Sequence, residues 1–169
     1  MNAEELRALQ APLKSRYKDD PAAARVTLKA QGTLGDQQPT CSIHTGKAMV
    51  KAGLHPATGG DGLASCSGDM LLEALVACAG VTLKAVATAL EIPLRGGIIR
   101  AEGDLDFRGT LGVSKEVDVG FQDIRLSFEL DADAAPEQVE TLIKLTKRYC
   151  VVYQTLQKPP RLEVTCRCP

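Results

Sequence analysis

The chain has 169 residues, 20 of them basic and 21 acidic, and a formal net charge of −1. This length allows one domain with its own hydrophobic core, and we expect a single domain over residues 1–169, in which residues 1–20 are an additional N-terminal helix. The balanced charge argues against a surface that gathers nucleic acid or anionic membranes, so the expected partner is a small molecule with little overall charge. The N-terminal residues are polar and show neither a signal-type apolar segment nor a basic transit pattern, and we therefore expect a cytoplasmic protein.

The first part of the chain predicts a helix followed by three strands. Residues 2–17 carry leucines at helical spacing, although Pro12 should kink or split that helix. Residues 25–32 then alternate as a strand does. Residues 40–44 and 48–54, on either side of a short turn, are interpreted as two further antiparallel strands.

The longest predicted helix, residues 69–90, follows a glycine-rich loop at residues 55–68, with Ser67 as its expected cap. The segment has no proline and is rich in alanine and leucine, which favours helix. Apolar residues occupy nearly every face of this predicted helix, which is typical of a helix buried on most sides. A glutamate and a lysine within it argue against a transmembrane span. Cys78, near the middle of the helix, is therefore expected inside the core.

The second half of the chain predicts a hairpin, a helix and a final strand. Residues 98–107 and 121–130 alternate and form the expected hairpin. Residues 135–149 are amphipathic with proline at a first helical position, and Cys150 lies at the exit of this helix. After two prolines, residues 161–168 alternate as a last strand. The resulting order, βββ-α-ββ-α-β, predicts an α+β domain with an antiparallel sheet around a long buried central helix.

Two of the six cysteines lie in helical settings that allow either packing or chemistry. A cysteine inside a helix is usually a structural residue, and this is the simpler interpretation of Cys78. A nucleophilic role requires a thiolate, and hence a nearby cation or helix N-terminus. Cys78 lies too far along its own helix for that dipole to help. The candidate cations are those of the preceding strands: Arg25, Lys29, Lys47 and Lys51.

Cys150 is the second cysteine with two interpretations. It follows two basic residues and precedes residues 151–156, which can begin another helical turn. It is either a partner thiol within reach of Cys78 or a packing residue at a helix end.

The other four cysteines are given lesser roles. Cys41 is expected in the core of a strand, and Cys66, in the glycine-rich loop, is an alternative reactive thiol. Cys166 and Cys168 should face the same side of the last strand and be too extended for an easy mutual disulfide. We interpret them as structural or incidental.

Other functional motifs are missing from the sequence. His44 and His55 are isolated, and no CxxC or HxxxH occurs, so neither a metal nor an organic cofactor is expected. No GxGxxG follows a strand, and no GxxxxGK[ST] or GxSxG is present, which argues against nucleotide-binding and α/β-hydrolase functions. The carboxylates of Asp104 and Asp106 are expected to be solvated on a strand face.

Two segments carry a resemblance to a known family. Residues 69–78, reading DMLLEALVAC, and residues 147–156, reading KRYCVVYQTL, resemble the OsmC/Ohr family of organic hydroperoxide reductases. The similarity extends from about residue 25 to residue 168, since the element order also matches. It implies an intertwined homodimer with two sites at the subunit interface, in which each long helix is covered by the partner subunit.

The resemblance also implies a reaction. Cys78 would attack an organic hydroperoxide, leaving an alcohol and a sulfenic acid, and Cys150 would condense with the latter to a disulfide that a dithiol reductant resets. Asp69 resembles the family's acidic residue that orients an arginine beside the thiolate, although the usual residue is glutamate. The strands before the helix offer Arg25 and Lys51 as candidate cations. Val151 stands where better-known members have proline, which indicates a divergent member.

The sequence thus gives one principal hypothesis and two alternatives. The first is a thiol-dependent peroxidase for organic hydroperoxides. The second is a non-catalytic OsmC-like protein that binds a small apolar ligand or is associated with stress. The third is a purely structural or interaction protein. A shared fold cannot decide among them.

Overall fold

The computed structural model of the protein describes residues 3–34, 41–43, 52–63 and 65–168. Within those residues the strands are β1 (Arg25–Leu34), β2 (Cys41–Ile43), β3 (Ala52–Gly53), β4 (Ser65–Cys66), β5 (Leu94–Asp106) and β6 (Phe121–Ala132). The helices are α1 (Ala3–Asp19), α2 (Ser67–Ala89), α3 (Phe107–Thr110), α4 (Pro136–Tyr149) and α5 (Val151–Gln157). This is the predicted α+β class.

A four-stranded antiparallel sheet with the order β2-β1-β5-β6 supports the helices. The predicted β5–β6 hairpin is confirmed and is longer than the sequence pattern indicated. Alternate residues of β5 face the core, where Ile99 and Ala101 are fully buried. On the outer face, Arg125 binds the carboxylate of Asp104 across the strands, at 2.5 Å and 3.0 Å.

The central helix α2 packs against β1 and β5, and α4 and α5 pack against α2. One face of α2 forms the main core, and its fully buried side chains include Leu72, Leu75, Val76 and Leu83. By length and composition alone α2 could also cross a membrane. Its packing on the sheet accounts for the apolar composition in the way expected of a core helix.

The N-terminal helix α1 is joined to the domain by a second, smaller core. It runs through Pro12 without being split and ends at Asp19. Tyr17 is buried beside Phe107 and Leu111, and its hydroxyl donates a hydrogen bond of 2.6 Å to the carbonyl of Ala57. This contact fixes α1 against the segment that leads into α2.

Three local predictions are wrong. Within the described residues, β3 pairs in parallel with β4, a strand that the sequence pattern missed, rather than in an antiparallel meander. The predicted turn at residues 45–47 lies outside the described residues. Cys66, not Ser67, occupies the cap position of α2, with no side-chain capping bond. Asp106 is buried rather than solvated, because it caps α3 and binds Arg108.

The predicted C-terminal strand is also wrong. Residues 158–168 form neither a helix nor a strand, and their side chains are exposed. Alternation alone does not make a strand, because its N–H and C=O groups need a partner edge, and this segment pairs with none of the described strands.

Candidate active site

Cys78 and Cys150 come together where α5 crosses α2. Cys78 lies in the middle of α2 and is partly exposed, whereas Cys150 is only 1% exposed. The thiol of Cys150 donates a hydrogen bond to Sγ of Cys78. Among the predicted site residues that the structure describes, Cys78 and Cys150 are the pair brought into contact.

The environment of Cys78 favours its thiolate. Partial burial opposes ionisation, but the N–H groups of Val152 and Val151, the thiol of Cys150 and the hydroxyl of Thr82 all donate to its sulfur, and together they lower the pKa of Cys78. The largest of the four stabilising contacts is the N–H of Val152. Among the described residues, these donors thus favour the thiolate without help from a cationic side chain.

The environment of Cys150 has the opposite effect. Burial, together with its bond to Cys78 and the negative charge there, raises the pKa of Cys150 to about 11, although the N–H of Tyr153 donates to its sulfur at 3.5 Å. Cys150 thus stays protonated at neutral pH. The two neighbouring thiols differ in charge state, as a nucleophile and a protonated partner should.

The local fold at Cys150 creates this arrangement. Cys150 ends α4, where its N–H donates to the carbonyl of Thr146 at 2.9 Å, and it also caps α5. Its backbone is extended, with φ −70° and ψ 108°, so the chain changes direction there. The first N–H groups of α5 have no helical acceptor and are free to donate to Cys78. The helix N-terminus that acts on Cys78 thus belongs to α5.

Asp69 lies at the other end of this region, in the first turn of α2. It lies nine positions before Cys78, or about 13 Å away along the helix axis. Burial raises the pKa of Asp69, while His55 and a backbone bond to Cys66 lower it. Burial likewise raises the pKa of Glu73, and the charge of Asp69 adds to that rise. Asp69 is thus grouped with His55 and Glu73.

The predicted cations either lie away from the thiol pair or fall outside the residues that the structure describes. Arg25 stands opposite Asp106 in the β1–β5 ladder, and its charge helps to lower the pKa of that carboxyl after the larger effect of Arg108. Lys47 and Lys51 are outside the described residues, as is the side chain of Lys29. Among the described residues, no cationic side chain contributes to the shift of Cys78.

Comparison with known proteins identifies the family. The family model described as OsmC-like protein matches residues 59–165, a segment of well over half the chain that contains both Cys78 and Cys150. The chain belongs to the OsmC-like family. No curated protein matches it.

Solved structures support the same fold. One is an OsmC-like hydroperoxide resistance protein from Jannaschia sp. CCS1, with a TM-score of 0.58 and 16% identity, covering 86% of this chain and 95% of that one. Another is an OsmC-like protein from Mycoplasma pneumoniae, with a TM-score of 0.56 and 16% identity, covering 76% of this chain and 86% of that one. At such identities the likeness establishes the OsmC-like fold alone.

This OsmC-like protein has a cavity of about 540 Å³ whose lining includes neither Cys78 nor Cys150. It opens between β6, α4 and α5, and its apolar lining includes Leu75, Ile124, Leu126, Phe128, Ile143 and Leu156. Tyr153, whose N–H contacts Cys150, also lines it, and Lys147 is among its polar residues. Size and lining are those of a small-ligand pocket.

The remaining cysteines of this OsmC-like chain lie elsewhere. Cys66 caps α2 and lines a separate cavity of about 310 Å³ with His55 and Phe107. Cys166 and Cys168 are exposed in the C-terminal segment. The side chain of Cys41 is outside the described part of the structure.

Sequence reasoning missed the groups that act on Cys78 other than Cys150. Thr82 could have been found, because a polar residue four positions after Cys78 lies on the same helix face. The residue types at positions 151 and 152 do not indicate that the N–H groups of Val151 and Val152 act on Cys78. The start of a helix at residue 151 indicates that these N–H groups lack helical acceptors, and only the tertiary fold directs them toward Cys78.

Proposed function

We propose that this protein is a thiol-dependent peroxidase that reduces organic hydroperoxides to alcohols. The observation that carries the proposal is the contact between Cys78, whose pKa is lowered, and Cys150, whose pKa is raised to about 11. Membership of the OsmC-like family supports it, as does the fold shared with a hydroperoxide resistance protein.

The first step uses Cys78 alone. Its thiolate attacks the outer oxygen of the hydroperoxide, an S–O bond forms and the O–O bond breaks. The alkoxide leaves and takes up a proton to give the alcohol, and Cys78 becomes a sulfenic acid. The donors around Sγ hold the thiolate ready at neutral pH, which raises the fraction of reactive protein.

The second step uses Cys150. Its sulfur attacks the sulfenic sulfur of Cys78, a disulfide forms, and the hydroxyl leaves as water with the thiol proton of Cys150. An external dithiol then reduces the disulfide and becomes oxidised itself. The cycle is complete with sulfur chemistry alone, so it requires no metal or organic cofactor.

We also propose that the active form is a homodimer. The side of α2 that carries Cys78 presents an apolar stripe of Leu71, Ala74, Val81 and Ala85, of which Leu71 is 38% and Val81 41% exposed in the single chain. Covering this stripe with a second copy would bury apolar surface and shield the thiolate from bulk water.

Peroxide titration of cysteine variants tests the peroxidase function. The reduced protein should consume tert-butyl hydroperoxide and form a Cys78–Cys150 disulfide, identified by mass spectrometry of peptides. Cys150→Ser should still react at Cys78 and give a sulfenic acid that dimedone, present during the reaction, traps. Cys78→Ser should lose the reaction, whereas the matched control Cys66→Ser should keep it. Equal consumption by Cys78→Ser and the unmodified protein would refute the proposal.

The cavity favours a second candidate function, the binding of a small apolar ligand without turnover. Its volume of about 540 Å³ and its mainly apolar lining suit a medium-length alkyl chain. Decanol should then raise the melting temperature of both Cys78→Ser and Cys150→Ser, and Leu126→Trp, which fills the cavity, should abolish the effect. Ligand binding without any peroxide consumption would favour this function over the first.

A further inference from the structure

The C-terminal segment, residues 158–168, carries two thiols that the chemistry above does not use. Cys166 and Cys168 are both exposed, and their sulfur atoms are 3.7 Å apart. A disulfide requires about 2 Å between the sulfurs, so only a small movement separates the pair from a bond. The segment forms no helix or strand and its side chains are exposed, so the packing of the domain does not oppose that movement.

The segment is also long enough to reach the thiol pair. It begins directly after α5, a helix of seven residues that starts next to Cys150. Such a helix is about 10 Å long. The chain from Lys158 to Cys166 can span up to about 27 Å when extended. It can therefore turn back along α5 and bring a thiol to Cys78 or Cys150 of its own chain.

The Cys78–Cys150 pair and the Cys166–Cys168 pair differ sharply in solvent exposure. Cys150 is 1% exposed and Cys78 lies partly buried beneath α5, so a large reductant has poor access to a disulfide between them. Cys166 and Cys168 are open to solvent on every side that the structure describes. A thiol–disulfide exchange between the pairs would transfer oxidation from the enclosed site to the surface.

We propose that Cys166 and Cys168 are an internal relay that reduces the Cys78–Cys150 disulfide and presents the oxidised pair to an external dithiol. The inference rests on the peroxidase function proposed above. It gives a role to two cysteines that the sequence pattern had left as structural or incidental.

The relay is a balanced two-electron exchange. The thiolate of Cys166 or Cys168 attacks Sγ of Cys78, which is the more exposed sulfur of the disulfide. A mixed disulfide forms as the Cys78–Cys150 bond breaks, and Cys150 leaves and is protonated. The other thiolate of the Cys166 and Cys168 pair then attacks the sulfur of its neighbour in the mixed disulfide. A Cys166–Cys168 disulfide forms and Cys78 leaves as a thiolate, which the N–H groups of Val151 and Val152 stabilise.

Disulfide mapping during peroxide titration tests the relay. The reduced full-length protein is treated with tert-butyl hydroperoxide without any reductant, and free thiols are blocked at intervals. Trypsin cleaves after Arg161 and Arg167, so a Cys166–Cys168 disulfide would link the peptide 162–167 to the dipeptide 168–169. The unmodified protein should consume about two equivalents and form both disulfides, because exchange frees the first pair to react again. Cys166→Ser/Cys168→Ser should consume about one and form only the Cys78–Cys150 disulfide.

The outcomes separate the two proposals. A Cys78–Cys150 disulfide that persists while Cys166 and Cys168 stay reduced would overturn the relay and leave the peroxidase function intact. Equally fast oxidation of the tail pair in Cys78→Ser would overturn the relay as well, since it would show direct attack by peroxide. If no disulfide forms between Cys78 and Cys150, the peroxidase function fails and the relay fails with it.

Discussion

The thiol of Cys150 donates a hydrogen bond to Sγ of Cys78, although 72 positions separate the two residues in the chain. The contact makes the two sulfurs chemically unequal. Cys78 is surrounded by donors that stabilise a negative charge, whereas Cys150 is enclosed and faces that charge. The pair therefore has a defined direction, with Cys78 as the attacking thiolate and Cys150 as the thiol that follows.

This asymmetry predicts different pH dependences for the two cysteines. Because the pKa of Cys78 lies below its usual 9.0, a larger fraction is thiolate at any given pH below that value, and alkylation by iodoacetamide should level off at lower pH than for an ordinary thiol. Cys150, with a pKa of about 11, should stay unreactive at neutral pH. Peptide mass spectrometry can follow both rates. In Cys150→Ala, which loses the S–H donor, the profile of Cys78 should move to higher pH; an unchanged profile would contradict the role of this contact.

A second prediction concerns the N–H of Val151. Val151→Pro removes this donor, yet proline suits the first helical position, and the extended backbone of Cys150 suits a residue before proline. The fold should persist, and the reaction of Cys78 with hydroperoxide at neutral pH should slow by roughly tenfold, which corresponds to the lower end of the range for one hydrogen bond to a charged group. Stopped-flow kinetics measure the rate. The control Val151→Ala keeps the N–H, so an equal loss in both variants would contradict this explanation.

A third prediction tests the dimer. Leu71→Lys places a charge on the exposed stripe of α2 two turns before Cys78 and should shift the protein from dimer to monomer, because burying an unpaired charge is unfavourable. Sedimentation velocity measures the shift. The control Val119→Lys changes a residue that is 70% exposed in a loop, and it should leave the sedimentation coefficient unchanged. An unmodified protein that sediments as a monomer at micromolar concentration would contradict the proposal.

A fourth prediction concerns the buried ion pair at the start of α3. Asp106 is 2% exposed and accepts hydrogen bonds from Nε of Arg108 at 3.0 Å and from its terminal nitrogen at 2.5 Å. Asp106→Asn should lower the free energy of unfolding at pH 7 by about 3 kcal/mol, since it leaves the Arg108 charge without its partner. Urea unfolding measures this change. Asp131→Asn, which breaks an exposed pair with Arg95, should lower it far less, because solvent screens exposed charges.

The same pair has a defined pH dependence. The hydrogen bonds that Arg108 donates to Asp106 hold the pKa of this carboxyl below the usual 3.8. A carboxyl with a lowered folded pKa stabilises the protein fully above its unfolded pKa, and that stability is lost as the pH falls through the folded value. The difference between the unmodified protein and Asp106→Asn should therefore be constant near neutral pH and shrink below pH of about 4. A difference that persists unchanged at pH 2 would contradict this assignment.

Most of the elements could be predicted from the sequence because their signals are local. Apolar spacing indicated α2 and α4, alternation indicated β1, β5 and β6, and a cysteine between two helical segments indicated the break at Cys150. The last strand was predicted wrongly, since alternation in residues 161–168 carries no information about a partner edge. Asp106 was misplaced for a similar reason, because alternation alone does not show which side chains cap a following helix.

The sequence by itself determined which thiols are available and that Cys78 lies within a long apolar helix. Only the tertiary structure decided how those thiols differ. Two of the contacts that lower the pKa of Cys78, the largest among them, come from backbone N–H groups of a helix that starts 73 residues later, and residue types do not encode the direction of those groups. The sequence offered side-chain cations as activators, because a charge is visible in the residue letters. In the part of the chain that the structure describes, the fold presents N–H dipoles to Cys78. Every residue except proline carries such a dipole, and it acts on a thiol only where the packing of the chain directs it there.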